Sequence, residues 1–265
     1  MTASTRRPLT RKAVTEQLRS LGVEAGGVLL VHTSWRAVRP VEGGPRGLVD
    51  ALLDALGPEG TLVMPSWSGE DDRPFDPRRD ETSPGLGILP DLFWRRPGVL
   101  RSGHVHAFAA IGPRADAVLR DALPLPPHRP ESPAGRVHEL DGQVLLLGVD
   151  HDANTTVHLA ECVAEVPYGI PKYLTVLRDG APVRVDYLEN DHCCARFREV
   201  GGWLEESGAQ RTGPVGHATA RLVRSRAVVD AVVPRLRADP LHFLHPPAAG
   251  CEECDLARAS VARPR

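Results

Sequence analysis

The sequence predicts an α/β fold: a largely parallel central sheet flanked by helices, with a β-hairpin and a helical C-terminal subregion. Three observations carry this. First, short apolar runs, GVLLVHTS (27–34), TLVMPS (61–66), VHAFAAIG (105–112) and QVLLLGV (143–149), alternate with stretches of helical spacing. That alternation covers both faces of a parallel sheet. Second, KYLTVLRDGAPVRVDYL (172–188) is two strand-like segments around Asp179-Gly180, a hairpin turn pair. Third, the segments that follow it have the spacing of helices. Residues 1–265 are read as a single domain, with 170–265 as its C-terminal subregion.

Each element has a local reason. Residues 10–21 are helical in spacing, with Thr10 placed to cap and Gly22 to stop. Residues 44–57 form a second helix that ends at Gly57. The polar, proline-bearing stretch 67–87 reads as a loop, and one of that length is usually functional. A short helix is expected over 87–96 and another over 113–123, opened by Pro113. The proline-rich 124–135 is expected to wrap the surface as a loop. Asn154 is a natural N-cap for a helix beginning TTVHLAE, and 191–207 and 218–236 also read as helices.

Composition excludes several function classes. The 32 basic and 34 acidic residues leave a net charge of −2, so no global field recruits nucleic acid or an anionic membrane. No apolar stretch is long enough to span a bilayer. The opening MTASTRRPLTRKA has no apolar signal region behind its charges, so a cytoplasmic protein is expected. Lysine occurs only at Lys12 and Lys172, and the arginine bias is read as genome composition, not phosphate recognition. The 5 cysteines then point to metal or bystander thiols and not to a disulfide framework.

The chemistry concentrates in GVDHDANTTVHLAE (148–161). With Asn154 as cap, His158 closes the first helical turn and Glu161 lies three residues on, along the same face. A carboxylate beside an imidazole fixes its tautomer and raises its basicity. The pair also sits past the carboxyl end of a buried strand, where open α/β sheets bind ligands. No G-x-S-x-G elbow is present, and Cys162 falls in a packed position, so His158 is read as a general base acting on a substrate amine. His151, in the preceding turn, is read as a solvated loop residue.

Two acidic clusters break the near-neutral balance: Glu70, Asp71 and Asp72 in the long loop, and the run from Asp186 to Asp191. In an extended segment Glu189 and Asp191 point the same way, and converging carboxylates suit a polycation. CEEC (251–254) and DHCC (191–194) together offer His192, Cys193, Cys194, Cys251 and Cys254 to a tetrahedral structural zinc. A rival reading takes His104 and His106 of HVH, with Asp152, His151 or His158, as a hydrolytic metal centre, making the chain a metal-dependent amidohydrolase or deacetylase.

The blocks VHTSWRAVRPVEGGPRGLVDALLDALGPEGTLVMPSWSG, RSGHVHAFAAIGP, VHELDGQVLLLGVDHDANTTVHLAE and VDYLENDHCC resemble the aminoglycoside 3-N-acetyltransferases, and among them the apramycin- and gentamicin-acetylating type. The resemblance runs over nearly the whole chain. It implies acetyl transfer from acetyl-CoA to the 3-amino group of 2-deoxystreptamine, with antibiotic resistance as the outcome, and His158 as base with Glu161 as its partner. It places coenzyme A against Ser34, Arg36, Ala37 and Val38, with Ser102 and His104 in a second lining block. Thr33 and Ser34, at the same strand end, are candidate donors to the developing oxyanion. Asp71, Asp72, Glu189 and Asp191 match the positions that hold the cationic drug, and DHCC with CEEC is shared by the same type. Many members carry a proline and then a serine in the second block, where this chain has Val105 and Ala107. Within the same chemistry, the acceptor could instead be a biosynthetic amine.

Overall fold

The computed structural model describes residues 6–120 and 123–261. It opens with α1 (Arg11–Leu21), β1 (Val28–Thr33), the single turn α2 (Trp35–Val38), α3 (Gly44–Leu56) and β2 (Thr61–Pro65). After the long loop come α4 (Ile88–Trp94), β3 (Leu100–Arg101), β4 (Phe108–Ile111), α5 (Ala115–Val118), α6 (Pro133–Glu139) and β5 (Gln143–Leu147). The remainder is α7 (Thr155–Ala164), β6 (Ile170–Arg178), β7 (Ala181–Glu189), α8 (Glu199–Glu206), β8 (Gln210–Val215), β9 (Ala218–Arg224), α9 (Ser225–Ala238) and α10 (Glu252–Val261).

Among the described residues, seven strands form one sheet in the order β3-β4-β2-β1-β5-β9-β8, and β6 pairs only with β7. β1 lies at the centre, parallel to β2 and to β5. The other pairings in the sheet, β2–β4, β3–β4, β5–β9 and β8–β9, are antiparallel. Parallel pairing is therefore confined to the three central strands, narrower than the largely parallel sheet expected. The connections explain it: β8 and β9 are joined by the turn at Gly216-His217, far too short for a crossover. The helix expected over 218–236 thus begins only at Ser225, and ATARLVR before it is strand. The burial of that segment alternates, and Leu222 lies opposite Leu145.

The two faces of the sheet carry separate cores. Val28 and Leu30 pack with Val157 of α7, Phe197 and Val228 of α9. Leu29 and Val31 face the other way, onto Leu18 of α1 and Leu48 and Leu52 of α3. This period-two division within a continuously apolar strand is the mark of a sheet covered on both sides.

Helix boundaries follow the expected caps in several places. Thr10 accepts the Ala13 N–H, and Gly22 ends α1 at φ 109°, where a side chain would be strained. Other expectations are corrected. The helix expected over 113–123 is only α5, with residues 121–122 of that stretch outside the described residues, and prolines soon after oppose its continuation. The loop expected over 124–135 gives way to α6 at its end: Ser132 caps the helix and Pro133 occupies its first turn, where proline costs no hydrogen bond. Within 191–207 the α-helix begins only at Glu199, after a left-handed Cys194 at φ 57° and a tight turn over Ala195–Arg198. Among the described residues no helix is long and apolar enough to cross a membrane.

Candidate active site

The site forms beyond the carboxyl ends of β1 and β5. Asn154 Oδ1 accepts the Thr156 N–H at 3.0 Å and starts α7, which brings His158 up beside the end of β1. His151 is not solvated, as the sequence suggested. It is fully buried, with Nε2 2.8 Å from Gln210 Oε1 and Nδ1 3.2 Å from Asn154 Nδ2. It ties the turn before α7 to β8, a strand that the sequence pattern does not announce.

His158 Nδ1 lies 2.7 Å from Glu161 Oε2, and its Nε2 lies 3.4 Å from Cys194 Sγ. Its ring stacks on His128, with centroids 5.2 Å apart, and meets the edge of Phe197 at 4.9 Å. Glu161 is wholly buried and accepts two more hydrogen bonds at Oε1, from the Tyr168 hydroxyl and from His192 Nε2 at 2.8 Å. The Cys194 N–H donates to His192 Nδ1 at 3.1 Å, which leaves Nε2 to carry the proton that Glu161 accepts. Burial alone would raise the Glu161 pKa, but His192 and His158 hold the carboxylate down at about 2. For His158 burial opposes the charged form, yet Cys194 and Glu161 outweigh it and set its pKa well above the ordinary histidine value. Tyr168 keeps its proton, since burial and the Glu161 charge push its pKa up.

Two cavities adjoin here, and His158 lines the first of them. One, of about 370 Å³, is lined by Val31, Thr33, Trp67, His128, Asn154 and His158 among others. The second, of about 220 Å³, is lined by Asp71, His106 and Glu189, and shares Trp67 and His128 with the first. The shared residues mark a junction at which two reactants could meet. Buried His128, beside His158 and His106, has a pKa well below the ordinary value, so it does not compete with His158 for a proton.

Of the four acidic residues expected to hold the drug, Asp71 and Glu189 line the second cavity, while Asp72 and Asp191 do not. Burial and the neighbouring Asp191 raise the Glu189 pKa, while His158 and Lys172 are close enough to oppose that rise. Burial likewise raises Asp71. Asp72 accepts from the Tyr173 hydroxyl, and Asp191 lies 2.6 Å from Lys172 Nζ. The loop carrying Trp67 and Asp71 is held by Arg101, whose guanidinium lies over Phe75 at 4.7 Å and Trp94 at 4.3 Å and donates to the carbonyls of Asp80 and Ser66.

Of the residues expected to meet coenzyme, Thr33 lines the larger cavity. Ser34 opens α2, and its carbonyl accepts the N–H groups of Ala37 and Val38, so Arg36 and its neighbours form a tight turn at the end of β1. Ser102 instead accepts the Phe108 N–H at 3.0 Å and closes the loop before β4, and neither it nor His104 lines either cavity.

The five candidate metal ligands separate. Cys193, Cys251 and Cys254 bring their sulfurs within 4.8 Å of one another, whereas both His192 nitrogens and the Cys194 thiol belong to the network around Glu161 and His158. Among the described residues this thiol trio is the only group of three or more ligands that converges. The histidines of the rival metal centre do not: His106 meets the Tyr187 hydroxyl at 2.9 Å and His151 meets Gln210. The sequence alone does not point to Tyr168, His128 or Trp67, because each reaches the site from a separate segment with no motif of its own.

Comparison with known proteins agrees with this architecture. The family model for aminoglycoside 3-N-acetyltransferase matches residues 30–237. Aminoglycoside N(3)-acetyltransferase IV of Salmonella sp. is 63% identical over 234 residues, 88% of this chain and 90% of that protein. The crystal structure of a histidine-to-alanine mutant of AAC(3)-IVa in complex with a gentamicin superimposes with a TM-score of 0.96 at 60% identity, covering 97% of this chain and all of that one. The same mutant in complex with apramycin gives a TM-score of 0.89 at 57% identity, over 95% of this chain and all of that one.

Proposed function

The chain belongs to the aminoglycoside 3-N-acetyltransferase family, and on that premise we propose that it transfers acetyl from acetyl-CoA to the 3-amine of apramycin- and gentamicin-type drugs. The observation that carries the proposal is His158, which lines the larger cavity, is held by Glu161 and stacks on His128, a residue shared with the second cavity. The matching enzyme has been crystallised with both drugs. Acetylation removes one positive charge from the drug and weakens its hold on anionic RNA, the physical basis of resistance. We place the reaction in the cytoplasm, where acetyl-CoA is available.

The amine must be neutral to attack. His158 Nε2 takes its proton as the nitrogen approaches the thioester carbon, while Nδ1–H stays on Glu161. The tetrahedral adduct then collapses to amide and thiolate, and the His158 imidazolium returns the proton to give free coenzyme thiol. A positioned base of this kind contributes about a hundred- to ten-thousand-fold, and holding both reactants together adds to it. Thr33, which lines the larger cavity, would donate to the developing oxyanion, with Ser34 beside it, and the turn of Arg36, Ala37 and Val38 would receive the coenzyme. Asp71, Asp72, Glu189 and Asp191 receive the drug's ammonium groups.

The thiol trio fits a structural zinc. Cys193 and Cys254 sulfurs are 3.6 Å apart, close to the separation of two thiolates on one tetrahedral ion, and with Cys251 they supply three of its four ligands. Such an ion would supply a crosslink fastening α10 to the segment carrying His192 and Cys194.

The reaction is tested by incubating enzyme, acetyl-CoA and apramycin and locating the acetyl group by NMR. Acetylation at N3 is the expected result; a product acetylated at another amine contradicts the assignment.

A further inference from the structure

Lys172 is one of only two lysines, and it stands where a cation matters most. On β6 it lies opposite Tyr187 of β7, whose hydroxyl bonds His106 of the smaller cavity. Its ammonium is 2.6 Å from Asp191 Oδ2. The bond to Asp191 raises its pKa, and the charges of Asp191, Glu189 and Asp71 add to the rise. One ammonium of the protein is thus paired with Asp191 and feels the charges of Glu189 and Asp71, three carboxylates assigned above to the drug's ammonium groups. The pair is not locked in place: Lys172 and Asp191 side chains are 37% and 45% exposed. An ion pair so wetted is weak and is screened by salt, so an incoming cation can take Asp191 from it.

We propose that Lys172 is a specificity-determining residue whose ammonium, in the free enzyme, pairs with Asp191 of the acidic cluster beside the smaller cavity and is exchanged for an ammonium group of the substrate. The inference rests on the reading of Asp71, Glu189 and Asp191 as the drug-binding carboxylates. Lys172 cancels one of their charges, which lowers the pocket's attraction for every cation. A small monocation gains little, because it replaces one ion pair with another. A drug with several ammonium groups recovers the exchange through its remaining contacts with Glu189 and Asp71. The residue thereby selects for polycations of the right spacing and against single amines.

Lys172→Met keeps the aliphatic stem and removes the charge. At low ionic strength it should lower KM for gentamicin about two- to fivefold, the worth of an exposed ion pair. kcat should stay unchanged, and KM should rise more steeply with salt than in the wild type. Lys172→Arg should restore the wild-type KM and salt response. An unchanged or raised KM in Lys172→Met would overturn the inference, since the pair would then be ornamental or would hold Asp191 in its binding pose. If the methionine variant melts well below the wild type, Lys172→Gln carries the same readouts. Absence of acetylation by the wild type would sink the proposed function itself, whereas an active wild type with an indifferent Lys172→Met overturns only the role of Lys172.

Discussion

The Nδ1 nitrogen of His158 lies 2.7 Å from Oε2 of Glu161, a carboxylate with no exposed surface. Three separate donors, on α7, at Tyr168 and at His192, converge on that one buried group. Glu161 is therefore the anchor of the site: it fixes the His158 tautomer and ties α7 to the segment that follows the hairpin. Removing its charge should alter both the strength of the base and the pH at which the base works.

Glu161→Gln keeps the shape of the side chain but cannot satisfy all three donors. Its kcat should fall about a hundredfold, within the range that a positioned base supplies. In the wild type the raised His158 pKa means that the neutral, proton-accepting form appears only as pH climbs above the usual histidine range. Activity should rise with pH through that point. Without the Glu161 charge the His158 pKa falls, so the acid limb of kcat/KM should move to lower pH. An acid limb that stays in place would separate Glu161 from the base.

Glu189 has its pKa raised by burial and by Asp191. An ammonium arriving beside it favours the carboxylate and lowers that pKa, so drug binding should release protons at mildly acidic pH. Calorimetric titrations in buffers of different ionisation enthalpy would measure the release. It should diminish in Glu189→Gln, and affinity in the wild type should weaken as pH falls through the raised value. Equal proton release in both proteins would place the drug elsewhere.

Arg101 holds the 67–87 loop by donating to the Asp80 and Ser66 carbonyls while stacked over Phe75 and Trp94. Burial lowers its pKa to about 10, leaving it charged at neutral pH. Arg101→Ala should loosen Trp67 and Asp71 together and raise KM for the drug about tenfold, with a smaller effect on kcat, because interface positioning and not the base is lost. Steady-state kinetics decide; a fall in kcat alone would contradict this division.

The cysteine trio makes a separate prediction. Protein purified without chelator should carry about one zinc per chain, and stripping it, or making Cys254→Ser, should lower Tm by several degrees. Turnover at low temperature should survive. Cys254 is fully buried, so the serine variant is read alongside the chelated wild type. Turnover lost on chelation with Tm intact would instead indicate a catalytic metal.

What was legible in the sequence was local. Thr10 and Gly22 mark the ends of α1, Asp179-Gly180 marks the hairpin, and Asn154 caps the helix whose periodicity places His158 and Glu161. What was hidden depends on chain segments far apart. β8 and β9 show as strands only once Leu222 is set against Leu145, and His151 is buried only because β8 brings Gln210 to it. His192 and Cys194 read as metal ligands beside Cys193, since spacing cannot tell which way neighbouring side chains turn across a left-handed residue. Tyr168 follows a helix end, and His128 sits in a proline-rich stretch that had no strand or helix period to read.

The most direct test of the account is thiol release from acetyl-CoA, with and without apramycin, for the wild type and His158→Ala. The account predicts drug-dependent release in the wild type, reduced at least about a hundredfold in the variant, with drug affinity largely kept. Near-normal release by His158→Ala would show that another group takes the proton, and the assignment of His158 as the base would fall.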